Sequence, residues 1–304
     1  MSALLLAGVD AAAQRSVATP RCFGAASRDP LHPCHNPRLR YEVVPSPAAA
    51  ARLPNSACTW IGRYDLVHPC AFGVAAEDAP TQTIAIVGDS HAAHWRAALD
   101  VVAESKRWRG LSISRTSCPF SRATKKLPQP ARRQCVRWND EVIGWLRLHP
   151  EVKTVFVAQI SGDTDVIANG RDQFSARVDG YTRAWRALPR SVERILVLRD
   201  TPRMRSTTNR CVQRAIRAHR RAAIACRVPR RRALHPDPAA VAAARTRSKR
   251  VHTVDLTRLF CNWRSCFPVI GGALVYKDVH HLTDVYATTL GRYLLRAVNR
   301  IERG

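Results

Sequence analysis

Long apolar runs are missing from this chain. The one apolar stretch near its start, Ser2 to Gly8, is too short to cross a bilayer, has no basic start and is followed closely by Asp10. The expectation is therefore that the natural start lies upstream, or that the chain is a domain detached from a membrane-embedded partner. Also missing are a glycine-rich nucleotide loop and a C-x-x-C pair of zinc-site spacing, so neither a cofactor nor a metal is expected. Negative charge is scarce: 23 Asp and Glu stand against 49 Lys and Arg, for a net charge of +26, and only six of the basic residues are Lys. Such a balance attracts polyanions, whether nucleic acid, anionic lipid headgroups or acidic cell-wall polymers. The densest basic segment, Arg203 to Arg232, lacks the interleaved aromatic residues of single-strand binders. It reads first as a solvated helix face and second as a polyanion-binding helix, and specific nucleic-acid binding is not expected.

What the chain does have is ten cysteines in five close pairs: Cys22/Cys34, Cys58/Cys70, Cys118/Cys135, Cys211/Cys226 and Cys261/Cys266. An even count, mostly in loop-like surroundings, argues for disulfides and so for an oxidising, extracytoplasmic compartment, periplasmic or on the cell surface. Neighbour-to-neighbour pairing is the simplest connectivity, though sequence does not prove it, and such bridges are expected to staple loops rather than the core. Buried free thiols in a cytosolic protein are the competing reading. A chain of 304 residues can bury a large core, and a single α/β domain with decorations is favoured over two small ones. Residues 1–19 read as a tail, 20–80 as an irregular, cysteine-containing extension, and 81–304 as the main domain.

The main domain opens on TIAIVGDSHAAHW, Thr83 to Trp95. A β-branched run (Ile84, Ile86, Val87) feeds a turn at Gly88-Asp89-Ser90-His91 and then a small-residue helix start. Ser90 thus falls at the carboxyl end of a buried strand, where open α/β sheets bind ligands, with its own amide at a helix N-terminus. Taken alone, Ser90 reads first as a helix N-cap and only second as a nucleophile. Near the other end comes Asp278-Val279-His280-His281-Leu282-Thr283, ahead of an amphipathic stretch with Tyr286, Leu290, Leu294, Ala297 and Ile301 on one face. An Asp three residues before a His can hold the imidazole in one tautomer while its other nitrogen takes a serine proton. Between the two ends a βα rhythm runs through strands near 111–114, 154–158, 195–198 and 251–254, with helices between them.

GDSH after the first strand with DxxHLT before the last helix resembles the SGNH (GDSL-like) hydrolase superfamily, in particular the extracytoplasmic SGNH domain of the membrane O-acyltransferases of acyltransferase family 3. CFGA at Cys22 to Ala25, TSCPF at Thr116 to Phe120, DTP at Asp200 to Pro202 and the run from Cys261 to Asp278 fit the same resemblance. It implies a three-layer α/β/α fold on a mostly parallel sheet, with the irregular, disulfide-stapled extension at its N-terminus. It implies Ser90 as nucleophile, His281 as base and Asp278 as its orienting carboxylate, and O-acyl transfer, acetyl foremost, to or from a cell-envelope carbohydrate. The partners implied are a carbohydrate or acylated glycan substrate and a membrane acyltransferase domain that supplies acyl groups.

Many SGNH enzymes place an Asn after the third strand and a Gly after the second as oxyanion donors. Here Gln159-Ile160-Ser161-Gly162 and TSCP stand instead. Gln159 is the first candidate donor, with a solvated strand-end amide as the competing reading, and Gly162 and His91 are the other candidates for oxyanion or substrate contact. His280 is expected to line the cleft or the surface, and Asp89 to satisfy loop amides. The alternative function is a non-catalytic basic module holding an anionic cell-surface polymer.

Overall fold

The computed structural model describes residues 19–62, 64–162 and 165–304; the Ser2 to Gly8 run and most of the expected tail lie outside these. Seven strands form the main sheet: β1 (Thr59–Trp60), β2 (Cys70–Gly73), β3 (Gln82–Gly88), β4 (Trp108–Ser114), β5 (Val152–Ala158), β6 (Arg194–Leu198) and β7 (Val251–Val254). Their order is β1-β2-β4-β3-β5-β6-β7. The five strands from β4 to β7 are parallel, and β2 and β1 add antiparallel at one edge. The main helices are α1 (Ser90–Lys106), α2 (Ala131–Leu148), α3 (Gln173–Arg186), α4 (Thr208–Arg217), α5 (Pro238–Thr246) and α6 (Asp284–Arg303).

Strand alternation builds the three layers. Ile84, Ile86, Phe156, Leu196 and Leu198 point into one core with Trp95, Leu99 and Val102 of α1 and Tyr286, Leu290 and Leu294 of α6. Ala85, Val87, Val155, Val157, Ile195 and Val197 point into the other, with Trp138 and Val142 of α2, Tyr181 and Trp185 of α3, and Ala242 of α5. A strand covered on both faces reads as a near-continuous apolar run, which is why its sequence shows no alternation. The α/β/α architecture on a mostly parallel sheet is the expected one. Among the described residues no helix is long and apolar enough to cross a membrane.

The stretch 20–80 is irregular for half its length, but its second half is not a separate cap. Residues 59–73 supply β1 and β2, so a boundary at 80/81 cuts across one hydrogen-bonded sheet. The first half wraps the other end of the fold: Gly24 donates to the Gly271 carbonyl, Ala25 N–H to Thr289 Oγ1, and buried Asp29 takes salt bridges from Arg292 and Arg296 of α6. The Arg-rich segment is not one helix; α4 is followed by two four-residue helices, Ala222–Ala225 and Arg230–Ala233.

All ten cysteines are oxidised, paired neighbour to neighbour as Cys22–Cys34, Cys58–Cys70, Cys118–Cys135, Cys211–Cys226 and Cys261–Cys266, across 5 to 17 residues. The pairing is the expected one, but the expectation that the bridges staple loops rather than the core is corrected. Cys34 does lie in a loop and is only partly buried. By contrast Cys70 belongs to β2, Cys135 to α2 and Cys211 to α4, while Cys266 sits in a two-residue strand, Ser265–Cys266, paired with Val228–Pro229. Cys226, just after the Ala222–Ala225 helix, is buried with Val212, Ala215 and Leu274, and Cys266 is buried with Cys261 and Phe260. Every bridge has at least one buried end. The physical reason is that an oxidised cysteine carries no charge and no strong donor, so its sulfur packs like a small apolar group and follows the core. Cys34, Cys226, Cys266 and the other seven are structural residues: none hydrogen-bonds to Ser90, His281 or Asp278 among the described residues.

Candidate active site

From β3 the chain runs to β4 on one side of it, and the next strand, β5, adds on the other. The carboxyl end of β3 is therefore a topological switch point, where the loops on either side diverge and leave a crevice. Gly88 ends the strand there. A Cβ on it would lie 1.8 Å from the Ala158 carbonyl oxygen, so only glycine lets β3 and β5 come this close at the turn. Asp89 caps α1: one carboxylate oxygen accepts from His91 N–H at 2.8 Å and the other from Ile160 N–H at 3.1 Å. This is the amide-satisfying role expected of Asp89, whose burial raises its pKa. Ser90 is left as the first residue of α1 with its hydroxyl at the edge of the sheet.

Opposite it stands the loop before α6. Asp278 Oδ1 accepts from the backbone N–H groups of His280 and His281 at 2.9 and 2.8 Å, which folds the loop around the carboxylate. Asp278 Oδ2 lies 2.7 Å from His281 Nδ1, and His281 Nε2 lies 2.8 Å from Ser90 Oγ. An ionised carboxylate only accepts, so the imidazole proton sits on Nδ1, and Nε2 is free to accept from the Ser90 hydroxyl. Burial alone would raise the Asp278 carboxyl. The hydrogen bonds from the His281 side chain and from the two backbone amides outweigh burial and hold it ionised, well below the usual carboxylate range. The structure thus brings Ser90, His281 and Asp278 into one hydrogen-bonded line across a sequence separation of nearly the whole domain.

Gln159 is not a solvated amide. It is 3% exposed, and neither its Oε1 nor its Nε2 has a hydrogen-bond partner among the described residues. A buried amide without partners costs free energy, and Gln159, just past the carboxyl end of β5, is held in that state. Gly162 is partly exposed, makes no hydrogen bond to the Ser90 line among the described residues, and faces the Arg203 guanidinium. His91 is unsuited to direct oxyanion contact. It is 1% exposed, and both ring nitrogens are taken, Nδ1 by Asp200 Oδ1 at 2.5 Å and Nε2 by His280 Nδ1 at 2.9 Å.

Asp200 opens the DTP motif, Asp200 to Pro202, but has no role legible from local pattern. In the structure it follows β6 and gathers donors: Ser161 N–H and Oγ–H at 2.7 and 2.8 Å, Thr201 N–H at 2.8 Å, and His91. Its backbone N–H donates to Asp237, which in turn caps α5. The one signal in sequence was position, an acidic residue at a strand's carboxyl end. His94, its ring 4.6 Å from that of His91 and tilted by 42°, is buried and kept neutral by that burial and by the neighbouring imidazoles. Among the described residues, His91, His280 and His281 are the one group whose ligating atoms cluster tightly enough to hold a cation. His91 and His281 use both ring nitrogens, and His280 its Nδ1, in hydrogen bonds to protein side chains.

A family model described as the SGNH domain fused to AT3 domains matches residues 55–296. Among curated proteins none matches the sequence closely enough to count as a relative. Among solved structures, the periplasmic domain of a lipopolysaccharide acetyltransferase from Salmonella ser. Paratyphi A is similar, with a TM-score of 0.57 at 13% identity, covering 75% of this chain and 90% of that one. At that identity the likeness speaks for the fold alone.

Proposed function

The chain belongs to the family of SGNH domains fused to AT3 domains, and on that premise we propose that it is a serine-dependent O-acyltransferase or acetylesterase acting on a cell-envelope carbohydrate. The observation that carries this is the Ser90–His281–Asp278 line at the carboxyl edge of the sheet. Ser90 Oγ attacks the ester carbonyl while His281 Nε2 takes its proton. The oxyanion meets the Ser90 amide at the start of α1 and the Gln159 side-chain N–H. His281 returns the proton to the departing alcohol, leaving an acyl group on Ser90, and a carbohydrate hydroxyl or water then accepts that group by the reverse steps. Transfer and hydrolysis share every one of these residues and differ in which hydroxyl reaches the acyl-enzyme first.

The acyl group is short, acetyl foremost, because the line opens towards solvent, with Asp278 side chain 46% exposed. A long acyl chain would need a covered apolar channel. Five disulfides fit an oxidising compartment, so the domain works outside the cytoplasm, where a membrane acyltransferase domain supplies acyl groups. The net charge of +26 favours a second, non-catalytic reading, a module that holds an anionic surface polymer.

The test is cleavage of a chromogenic acetyl ester by the purified protein, with trapping of the acyl-enzyme by acid quench and peptide mass analysis. The acetyl group is expected on the peptide bearing Ser90, and Ser90→Ala is expected to abolish both turnover and labelling. Unchanged turnover in a folded Ser90→Ala variant removes the nucleophile and leaves the polymer-binding reading.

A further inference from the structure

A second chain of hydrogen bonds runs beside the first: Asp200, His91, His280. Asp200 receives two donors on Oδ2, from Ser161, and two on Oδ1, from Thr201 N–H and His91 Nδ1. A carboxylate with four donors is ionised, so His91 Nδ1 carries a proton. One further proton must lie between His91 Nε2 and His280 Nδ1, 2.9 Å apart with the rings 29° from parallel.

The surroundings decide which ring holds that proton. His91 is fully enclosed between α1, the β6 carboxyl end and the loop before α6, and the charged or titratable groups facing it are Asp200, Asp89 and Asp278 on the acidic side and His94, His280 and His281 on the other. His280 is half-buried, beside His91, His281, Asp278 and Arg203. Burial opposes charge on both. At His91 the Asp200 carboxylate overcomes burial and raises the pKa; at His280 burial and the positive neighbour His91 push it down to about 4. A buried ion pair of this kind is a poor device for stability alone, since apolar side chains fill such a site at no greater cost.

We propose that Asp200 and His91 are positioning residues that hold His91 as a buried imidazolium and thereby fix His280 in the Nε2–H tautomer, as a hydrogen-bond donor to the alcohol oxygen that enters or leaves at Ser90. The two adjacent histidines then have complementary tasks. His281, with Nε2 bare, is the base. His280, with Nε2 protonated, donates and cannot act as base. Its ring lies 4.2 Å from that of His281, centroid to centroid, and it is His281 Nε2 that meets Ser90 Oγ. The step balances as before: the C–O bond to the leaving oxygen breaks, the proton on His281 Nε2 goes to that oxygen, and His280 stabilises the negative charge developing there without losing its own proton.

This rests on the acyl-transfer reading above, and the experiment separates the two. First, ¹⁵N-histidine NMR of the wild-type protein at pH 8, with the His91 signals assigned by their loss in His91→Gln, is expected to show both His91 nitrogens protonated and His280 protonated on Nε2 alone. A neutral His91, or His280 protonated on Nδ1, overturns the proposal whatever the variants do. Second, kcat/KM is measured for aryl and alkyl acetates of rising leaving-group pKa. His280→Phe is expected to lose about ten-fold on alkyl acetates and little on aryl acetates, the scale of one hydrogen bond. His280→Gln, whose amide N–H reaches the Nε2 position, is expected to restore most of the loss, and His280→Asn, whose carbonyl accepts from His91 but places no donor there, is not. An equal loss on all esters, or no loss, overturns the donor role. If Ser90→Ala keeps turnover, the parent reading fails first; if it is dead and the leaving-group dependence of His280→Phe equals that of wild type, the donor inference alone fails.

Discussion

Asp278→Asn replaces one carboxylate oxygen by an NH₂ group and leaves the shape unchanged. Oδ1 goes on accepting from the N–H groups of His280 and His281, so the loop before α6 is expected to keep its conformation. The NH₂ group then faces His281 Nδ1 across the 2.7 Å contact and, as a donor, requires a bare nitrogen there. The imidazole proton moves to Nε2, where it faces Ser90 Oγ and cannot accept the serine proton. The variant also loses the carboxylate that stabilises the imidazolium formed during attack. Two unit charges about 4 Å apart near a protein surface interact by about 4 kcal/mol, or roughly 10³ in rate. Asp278 is half exposed, so water screens part of that. The expected loss in kcat is therefore about 10² to 10³-fold, below the ~10⁴ of a fully buried triad aspartate, with KM little changed. The assay is cleavage of a chromogenic acetyl ester by wild type and variant of equal melting temperature. Binding to a heparin-like polymer, measured in parallel, is expected to ignore the substitution and to weaken steeply with salt. Turnover equal to wild type in both Asp278→Asn and His281→Ala, with tight, salt-sensitive polymer binding, would refute the catalytic line and favour the binding module.

Gly88→Ala places a methyl group 1.8 Å from the Ala158 carbonyl, so β3 and β5 must part at the turn that carries Ser90. A loss of about 3 kcal/mol or more in denaturant unfolding, with reduced turnover, is expected, and a variant as stable and active as wild type contradicts the close approach. Alkylation without reductant is expected to label none of the ten cysteines, and removing the Cys118–Cys135 bridge, which closes 17 residues, to cost about 3 kcal/mol in the chain-entropy picture. Asp29 is the clearest acid-sensitive group. Burial would raise its carboxyl, but hydrogen bonds from Leu31 N–H, Arg296 and Arg292 outweigh burial and bring its pKa down to about 2. Because the folded value is the lower one, its contribution is present above the ordinary carboxylate value of ~3.9 and is lost as pH falls towards about 2. Asp29→Asn is expected to be less stable than wild type at neutral pH and to lose less on acidification, and an unchanged acid transition counts against the α6 anchor.

Local pattern was enough to locate the strand–turn–helix around Ser90, the parallel strands that follow and the oxidised cysteine pairs. The strands are apolar runs because both faces are covered, and the turn needs Gly88 because β5 comes close; these demands come from distant segments but each leaves its mark within one short stretch. The DxxH spacing showed how Asp278 and His281 could join, since both sit on one loop. Position in space decided the rest. The burial of Cys226 and Cys266, which ties their bridges to the core, comes from the segments that pack over them and not from the spacing that pairs them. Asp200, His91 and His280 lie far apart in the chain and meet because β6 ends, and α1 begins, at the same edge of the sheet as the loop before α6. The burial of Gln159, which leaves a strand-end amide without a partner among the described residues, depends on what packs over the carboxyl end of β5, and no neighbouring residue announces it. Likewise, residues 59–73 read as part of an extension until the backbone of β2 pairs along β4 and that of β1 along β2. A hydrogen bond between distant segments depends on where each strand ends and how strands are ordered across the sheet, quantities set by the packing of the whole core and carried by no single stretch of sequence.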